Sequence, residues 1–582
     1  MHPVETRTFR HGRTMGWVSR RRVLPALPAL TLAVLLVPLG AGLIGTLGPA
    51  FGWMPGLAGA QPGLDAFRAL LAWPGLPRAV TLSLSTGLAA TALSLAIVAL
   101  VTAAWGGTRV FAALRRLLSP LLSVPHAAAA FGLAFLIAPS GWLMRLASAW
   151  ATGLERPPDV LIVQDPLGLT LIAGLVVKEV PFLLLMTIAA LGQADATRAQ
   201  TVAQTLGYGR TTGWLKAVFP RVYAQIRLPV YVVLAFSMTV VDVAIILGPN
   251  TPPTLSVQIL RWMTDPDLSL RLQAAAGAVL QLALVLAALA LWRLVEIATA
   301  RLGRAWVLRG ARARLGEPAL RGLSVLPAGA AAATVLLGIA ILALWSVAGL
   351  WSFPKALPDQ LSLRSWMRHG PELAEIAART VTIAGLATLA SLILALGCLE
   401  AEHRDGLTLR RTGLWLLYLP LLIPQVAFLP GVQTAMLLLG LDGGLFAVTA
   451  AHVIFVFPYV FLSLGDPFRA WDTRYATIAC TLGARANRVL WRVRLPMLLA
   501  PVLTASAVGV AVSVGQYLPT LLVGGGRVPT LTTEAVALAS GGDRRAIGVF
   551  ALAQTAAALV PFALALILPR LLYRNRRGLL HD

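Results

Sequence analysis

Apolar residues recur along the chain in uninterrupted runs of roughly 18 to 28 positions, the length a helix needs to cross the hydrocarbon of a bilayer. Twelve such runs can be traced, near residues 23–45, 79–105, 117–139, 166–191, 228–248, 275–292, 324–351, 379–400, 413–439, 444–465, 499–523 and 547–569. None carries the strict alternation of a spanning barrel strand, and a helix satisfies its own backbone amides where lipid offers no partner. The pattern predicts an all-α polytopic membrane protein with about 12 transmembrane helices.

Composition agrees: of 582 residues, 58% are hydrophobic and 12% charged, with a mean hydropathy of +0.78, too apolar for a soluble domain. An even number of spans puts both termini on one side. If that side is cytoplasmic, 34 of the 48 Lys and Arg residues fall in cytoplasmic segments, as the positive-inside rule requires. The formal charge of +24 sits largely in juxtamembrane clusters such as Arg20, Arg21, Arg22 and Arg574, Arg576, Arg577, which suits anionic lipid and not nucleic acid. The first apolar run exceeds the core of a signal peptide and reads as an uncleaved first span. Two cysteines, Cys398 and Cys480, imply neither a disulfide framework nor a thiolate metal site.

An internal repeat organises the chain. Thr-Val-Ala-Gln-Thr-Leu-Gly at 201–207 returns as Thr-Ile-Ala-Cys-Thr-Leu-Gly at 477–483, an offset of 276. The same offset relates Pro220 to Pro496, Gly248 to Gly524, Pro253-Thr254-Leu255 to Pro529-Thr530-Leu531, and Asp267 to Asp543. Each half holds six spans, so the copies enter the membrane in the same direction. The halves cover 1–292 and 324–582, joined by a basic linker at 293–323.

The repeat is densest in two loops, 195–222 and 471–498, each following the fourth span of its half. In both, Gly207 or Gly483 precedes a proline by thirteen residues. A glycine used as a left-handed helix cap and a second helix stopped before Pro220 or Pro496 predict an elbow. Its apolar residues, Trp214 and Leu215 in one copy and Val489, Leu490 and Trp491 in the other, are expected to be exposed for insertion into a partner's groove.

This spacing resembles the EAA loop of binding-protein-dependent ATP-binding-cassette (ABC) importer permeases. The matching positions are Thr201, Val202, Ala203, Gly207 and Phe219-Pro220, then Thr477, Ile478, Ala479, Gly483 and Leu495-Pro496. Thr stands in both copies where the family has Glu. Two halves in one chain look like the ferric-iron and thiamine importers, and the runs at 516–527 and 540–545 look most like the YnjC group of fused permeases. The resemblance implies two parallel six-helix permease repeats whose elbows form coupling helices, touched by Thr201, Ala203, Gly207, Trp214, Pro220, Thr477, Ala479, Gly483, Trp491 and Pro496. It also implies a separate cytoplasmic ABC ATPase dimer, a periplasmic substrate-binding protein, a bacterial inner-membrane location with both termini cytoplasmic, and a small nutrient such as iron or thiamine as cargo. In this family the fifth spans flank the path, and the external segments around Asp265, Pro266 and Asp267 and around Asp543, Arg544 and Arg545 are expected to meet the binding protein.

Charges inside spans are costly and mark function by default. Lys178 and Glu179 lie mid-span and point about 100° apart; Asp242, Gln516 and Tyr517 fall late in the fifth and eleventh runs. These five are candidates for the translocation path, with packing roles as the plainer reading. His452, alone on an apolar helix, is expected to be a structural hydrogen-bonding residue. No Gly-rich phosphate loop, metal-ligand cluster or catalytic dyad stands out, so neither a catalytic site nor a cofactor is expected. An ion-coupled secondary transporter is the competing reading, disfavoured by the paired loops and the scarcity of acidic residues in spans.

Overall fold

A computed structural model of the protein describes residues 24–54, 61–310, 312, 317–406 and 411–573; the terminal arginine clusters at 20–22 and 574–577 lie outside them. The spans are α1 (Leu27–Ala50), α2 (Leu76–Trp105), α3 (His126–Ile137), α4 (Leu169–Gln193), α5 (Phe219–Thr239), α6 (Leu270–Leu308), α7 (Glu317–Ser346), α8 (Arg364–Asp405), α9 (Gln425–Leu438), α10 (Leu445–Ala470), α11 (Leu499–Val514) and α12 (Arg544–Leu572). Among the described residues, ten helices are long and apolar enough to cross a membrane, or twelve if two bent pairs each count as one span. The only β pairing there is an isolated bridge between Ala348 and Leu361.

The bends have sequence causes. Helix Arg411–Leu422 meets α9 at 92°, where Pro424 takes the N-cap position and its ring drives the preceding residue out of the helical region. The runs predicted at 228–248 and 499–523 each break before their end. α5 stops at Thr239 and α11 at Val514, and short helices Asp242–Leu247 and Leu518–Val523 follow. Most of the predicted linker is helix: α6 continues to Leu308 and α7 begins at Glu317.

Each half lends its first span to the other. α1 packs against α6 of its own half and most extensively against α9 of the second; α7 packs against α12 and reaches across to α3. Both crossings pass through glycine. A Cβ added to Gly45 would lie 2.8 Å from the Cα of Gly431, and one added to Gly132 would lie 2.7 Å from the Cα of Gly338. Lipid is as apolar as a leucine side chain, so helices in it associate through close backbone packing of this kind.

Replacing Gly431 by Leu is therefore expected to destabilise the interlock by about 1–3 kcal/mol or more, read as a lower unfolding midpoint in detergent. Gly40→Leu, on the same helix as Gly42 and Gly45 but with open space around it, is expected to leave the midpoint unchanged.

Candidate functional site

Two elbows repeat one local design. In the first, helix Ala196–Thr205 ends at Gly207 with φ +83°; in the second, helix Arg474–Thr481 ends at Gly483, also at φ +83°. Such a φ favours glycine. Paired backbone bonds close each end, Gly207 N–H to Gln204 O (2.9 Å) and Tyr208 N–H to Ala203 O (3.1 Å), then Gly483 N–H to Cys480 O (2.9 Å) and Ala484 N–H to Ala479 O (2.9 Å). This is the closure by which orphan carbonyls at a helix end find donors. At the second elbow Asp472 accepts from the backbone and side chain of Arg474 (2.9 and 2.7 Å), which holds its carboxyl below the usual carboxylate range.

Beyond the glycine, Arg210–Gly213 and Ala486–Val489 lead into π-helical turns, Trp214–Val218 and Leu490–Arg494, again 276 residues apart. Pro220 does not stop the helix as predicted. It occupies the first turn of α5, where a missing N–H costs nothing, and Arg210–Thr239 runs on as one segment. Pro496 takes the same place in the short helix Leu495–Met497, after which the chain bends by 77° into α11.

The outward residues differ from those expected. Trp214 and Val489 are buried and Leu215 and Leu490 half-buried, while Trp491 is 67% exposed. Trp214 stacks on Phe219 at 5.7 Å, and Ala203 is buried behind it, so close that a Cβ on Gly213 would reach 3.0 Å from its methyl group. The apolar pairs that do face out are Val202 and Leu206 (52% and 55% exposed) and Ile478 and Leu482 (57% and 82%). They are matched by the 276 offset and spaced four apart, hence on one helical face. The repeat itself carried this signal. Thr201 and Thr477 lie beside them, exposed, each hydroxyl donating to the carbonyl four residues earlier.

Different locks hold the two elbows. At the first, the Glu317 carboxylate accepts from the Thr211 and Thr212 amides (2.7 and 3.2 Å), Arg210 donates to Gly106 O, and Lys216 donates to Trp306 O (3.1 Å). At the second, buried Arg494 donates to Glu400 (2.6 Å), which also accepts from Arg404 (2.5 Å). Arg404 reaches Asn487 (2.8 Å), and the Arg494 guanidinium lies 4.2 Å from the Trp471 ring centre. The first half puts Val218 where the second has Arg494. It puts Ala103 where the second has Glu400, by the register that aligns Ser83 with Thr380, acceptors from Leu255 N–H and Leu531 N–H. Both Val218 and Ala103 are buried.

In the interior, Lys178 does not pair with Glu179. Its ammonium donates to the carbonyls of Leu121, Leu122 and Val124 (3.1, 3.4 and 2.5 Å), whereas Glu179 faces His126 at 3.9 Å. Asp242 is the buried first residue of its short helix and lies within Coulombic reach of His126 and Tyr517. Tyr517 and Gln516 occupy the break after α11, not a span, with the Gln516 carbonyl accepting from Thr520. Tyr459 on α10 lies within Coulombic reach of Glu179. His126 and Tyr459 were missed in the sequence because each is a lone polar residue beside a proline on an apolar run. His452 is structural as expected, bonded to Ser513 (2.7 Å) and Thr520 (2.8 Å). Asp267 and Asp543 accept from nearby backbone amides; Arg544 and Arg545 reach Ser140 and the Gly349 carbonyl.

Arg494→Met, which strands a buried carboxylate with one partner fewer, is expected to cost about 3–5 kcal/mol. Combining Glu400→Ala with Arg494→Val, which installs the first half's apolar pair, should recover most of that loss in thermal unfolding.

No protein-family model and no solved structure matches the chain. Among curated proteins, it is 34% identical over 520 residues to the inner membrane ABC transporter permease protein YnjC of Escherichia coli, covering 89% of this chain and 93% of that one. The molybdenum transport system permease protein ModB of Mycobacterium tuberculosis is 40% identical over 81 residues, 14% of this chain and 31% of its own length. The spermidine/putrescine transport system permease protein PotC of Haemophilus influenzae is 25% identical over 154 residues, 26% of this chain and 60% of its own. Ten to twelve candidate spans, two elbows of one design and near full-length similarity to a permease converge: the chain belongs to the inner-membrane permeases of ABC transporters.

Proposed function

We propose that this chain forms the whole membrane passage of an ABC importer, with two coupling helices in one polypeptide and a separate ATPase dimer docked on them. The observation that carries the reading is the pair of outward apolar sets, Val202 with Leu206 and Ile478 with Leu482, on elbows of matched geometry. Thr201 and Thr477 hold the places of the family's glutamates, so docking rests on shape and apolar contact, with exposed Trp491 adding area on one side. Both termini and the elbows then lie in the cytoplasm, in keeping with the distribution of arginines. The opposite face receives a periplasmic substrate-binding protein.

ATP binding draws the elbows together, and the halves rock around a central route lined by Glu179, Asp242, Gln516 and Tyr517, with Lys178 bracing the loop beside it. The permease is the two-state element and nucleotide biases it. Relatives named for molybdenum and for spermidine/putrescine handle unlike solutes, so the shared scaffold leaves the cargo to side chains.

The test is co-purification with the candidate ATPase. Leu206→Asp plus Leu482→Asp is expected to cut recovered ATPase by roughly tenfold or more while the permease remains monodisperse with an unchanged unfolding midpoint. Undiminished binding would make the elbows ordinary loops and bring the ion-coupled secondary transporter forward.

A further inference from the structure

Among the described residues, buried charges other than Glu179 and Asp242 are met by close hydrogen-bonding partners. Glu296 accepts from Tyr223, Tyr231 and Arg293 and pairs with Arg227; Glu400 has Arg494 and Arg404; Asp165 accepts two backbone amides; Lys178 has its three carbonyls. Glu179 and Asp242 are only 5% and 8% exposed, yet neither carboxylate has a side-chain hydrogen-bond donor among the described residues. Glu179 has His126 at 3.9 Å, beyond hydrogen-bond length, and the Lys178 ammonium within Coulombic reach but not bonded to it. Asp242 has only backbone amides at the start of its own helix.

A buried carboxylate that no side chain hydrogen-bonds is unfavourable, and a cationic solute passing close by would offset that cost. The surroundings define that solute. Tyr459 and Tyr517, from the second half, lie within Coulombic reach of Glu179 and Asp242 of the first, and neither hydroxyl has a hydrogen-bond partner among the described residues. The Phe236 ring lies 4.9 Å from the imidazole of His126. Aromatic rings around carboxylates favour an organic ammonium group, through ring-face attraction and charge together. Among the described residues no group of three His, Cys, Asp or Glu side chains is placed to hold a metal ion, so direct coordination of a metal is not what the arrangement offers. Lys178 spends its hydrogen bonds on the Leu121, Leu122 and Val124 carbonyls and gives Glu179 charge without a hydrogen bond.

We infer that Glu179 and Asp242, with His126, Tyr459 and Tyr517, form a cation-accepting waist in the route, suited to a small ammonium-bearing organic solute. The inference rests on the permease reading but is tested apart from it. In the full-length chain in membrane vesicles, with Cys398→Ser and Cys480→Ser removing the native thiols, Gln516→Cys places a single thiol at the waist. Its rates with trimethylammonium-ethyl and sulfonatoethyl methanethiosulfonate are compared with those of 2-mercaptoethanol in solution, with and without ATP.

The expected result is a cation-to-anion ratio raised roughly tenfold over the solution ratio, falling to the solution value in Glu179→Gln plus Asp242→Asn while the thiol still reacts. A ratio at or below the solution value, a raised ratio that the neutral pair leaves in place, or a thiol that neither reagent reaches in either nucleotide state overturns the proposal. Loss of ATPase binding with the charge preference intact would instead count against the coupling reading alone.

Discussion

The two glycine crossings, Gly42 and Gly45 on Gly431 and Gly338 on Gly132, are the constraint on which the rest of the structure depends. Water drives no association of apolar helices inside a bilayer, so contact must come from backbone approach, and only residues without side chains allow it. Because α1 and α7 each cross to the opposite half, the halves are interlocked and not merely adjacent. Near the breaks after α5 and α11, Asp242 of the first half and Tyr517 of the second come within Coulombic reach of one another.

Much of this was legible in the sequence. Ten of the twelve apolar runs fall on long helices and two on bent helix pairs, because span length and polarity are local properties whereas bends are not. Gly207 and Gly483 were predictable as left-handed caps, since a glycine after a helical stretch has few other reasons to recur at one offset. Helix continuity was less legible. Pro220 reads as a stop, but a proline in a helix's first turn loses no bond, and no local sequence pattern reports the π turn before it. The same holds for exposure: Trp214 is buried by the fold of its own elbow and Val489 by elements distant in sequence, and the outward face fell to Val202, Leu206, Ile478 and Leu482. Glu179 and Lys178, adjacent in the chain, take different partners because a helix turns them apart; which partner each one meets is a tertiary fact.

The pseudo-symmetric frame carries asymmetric chemistry. Ala103 and Val218 in one half stand where Glu400 and Arg494 stand in the other, and Asp242 where Leu518 stands. Backbone geometry survives these exchanges because each is made in matched pairs or at a break. Apolar contact and a buried ion pair can fill the same volume at similar net stability, yet they differ in what disruption costs. The first elbow is held by Glu317 and Lys216 through the segment that joins the halves, and the second by charges of its own half together with the Tyr573 hydroxyl on the Pro496 carbonyl (2.8 Å).

The π turns at Trp214–Val218 and Leu490–Arg494 have a consequence for how these elbows tolerate change in length. A π turn holds about one residue more than an α turn, and one residue on an α-helix corresponds to about 100° of rotation and 1.5 Å of rise. Deleting a single residue there would let the backbone ladder close as ordinary α-helix with little strain, so the span would persist. Everything upstream would swing by about a quarter turn, carrying Val202 and Leu206, or Ile478 and Leu482, off the outer face. Length in this segment is thus a phase setting, which links the orientation of each outward apolar face to the helix that follows it.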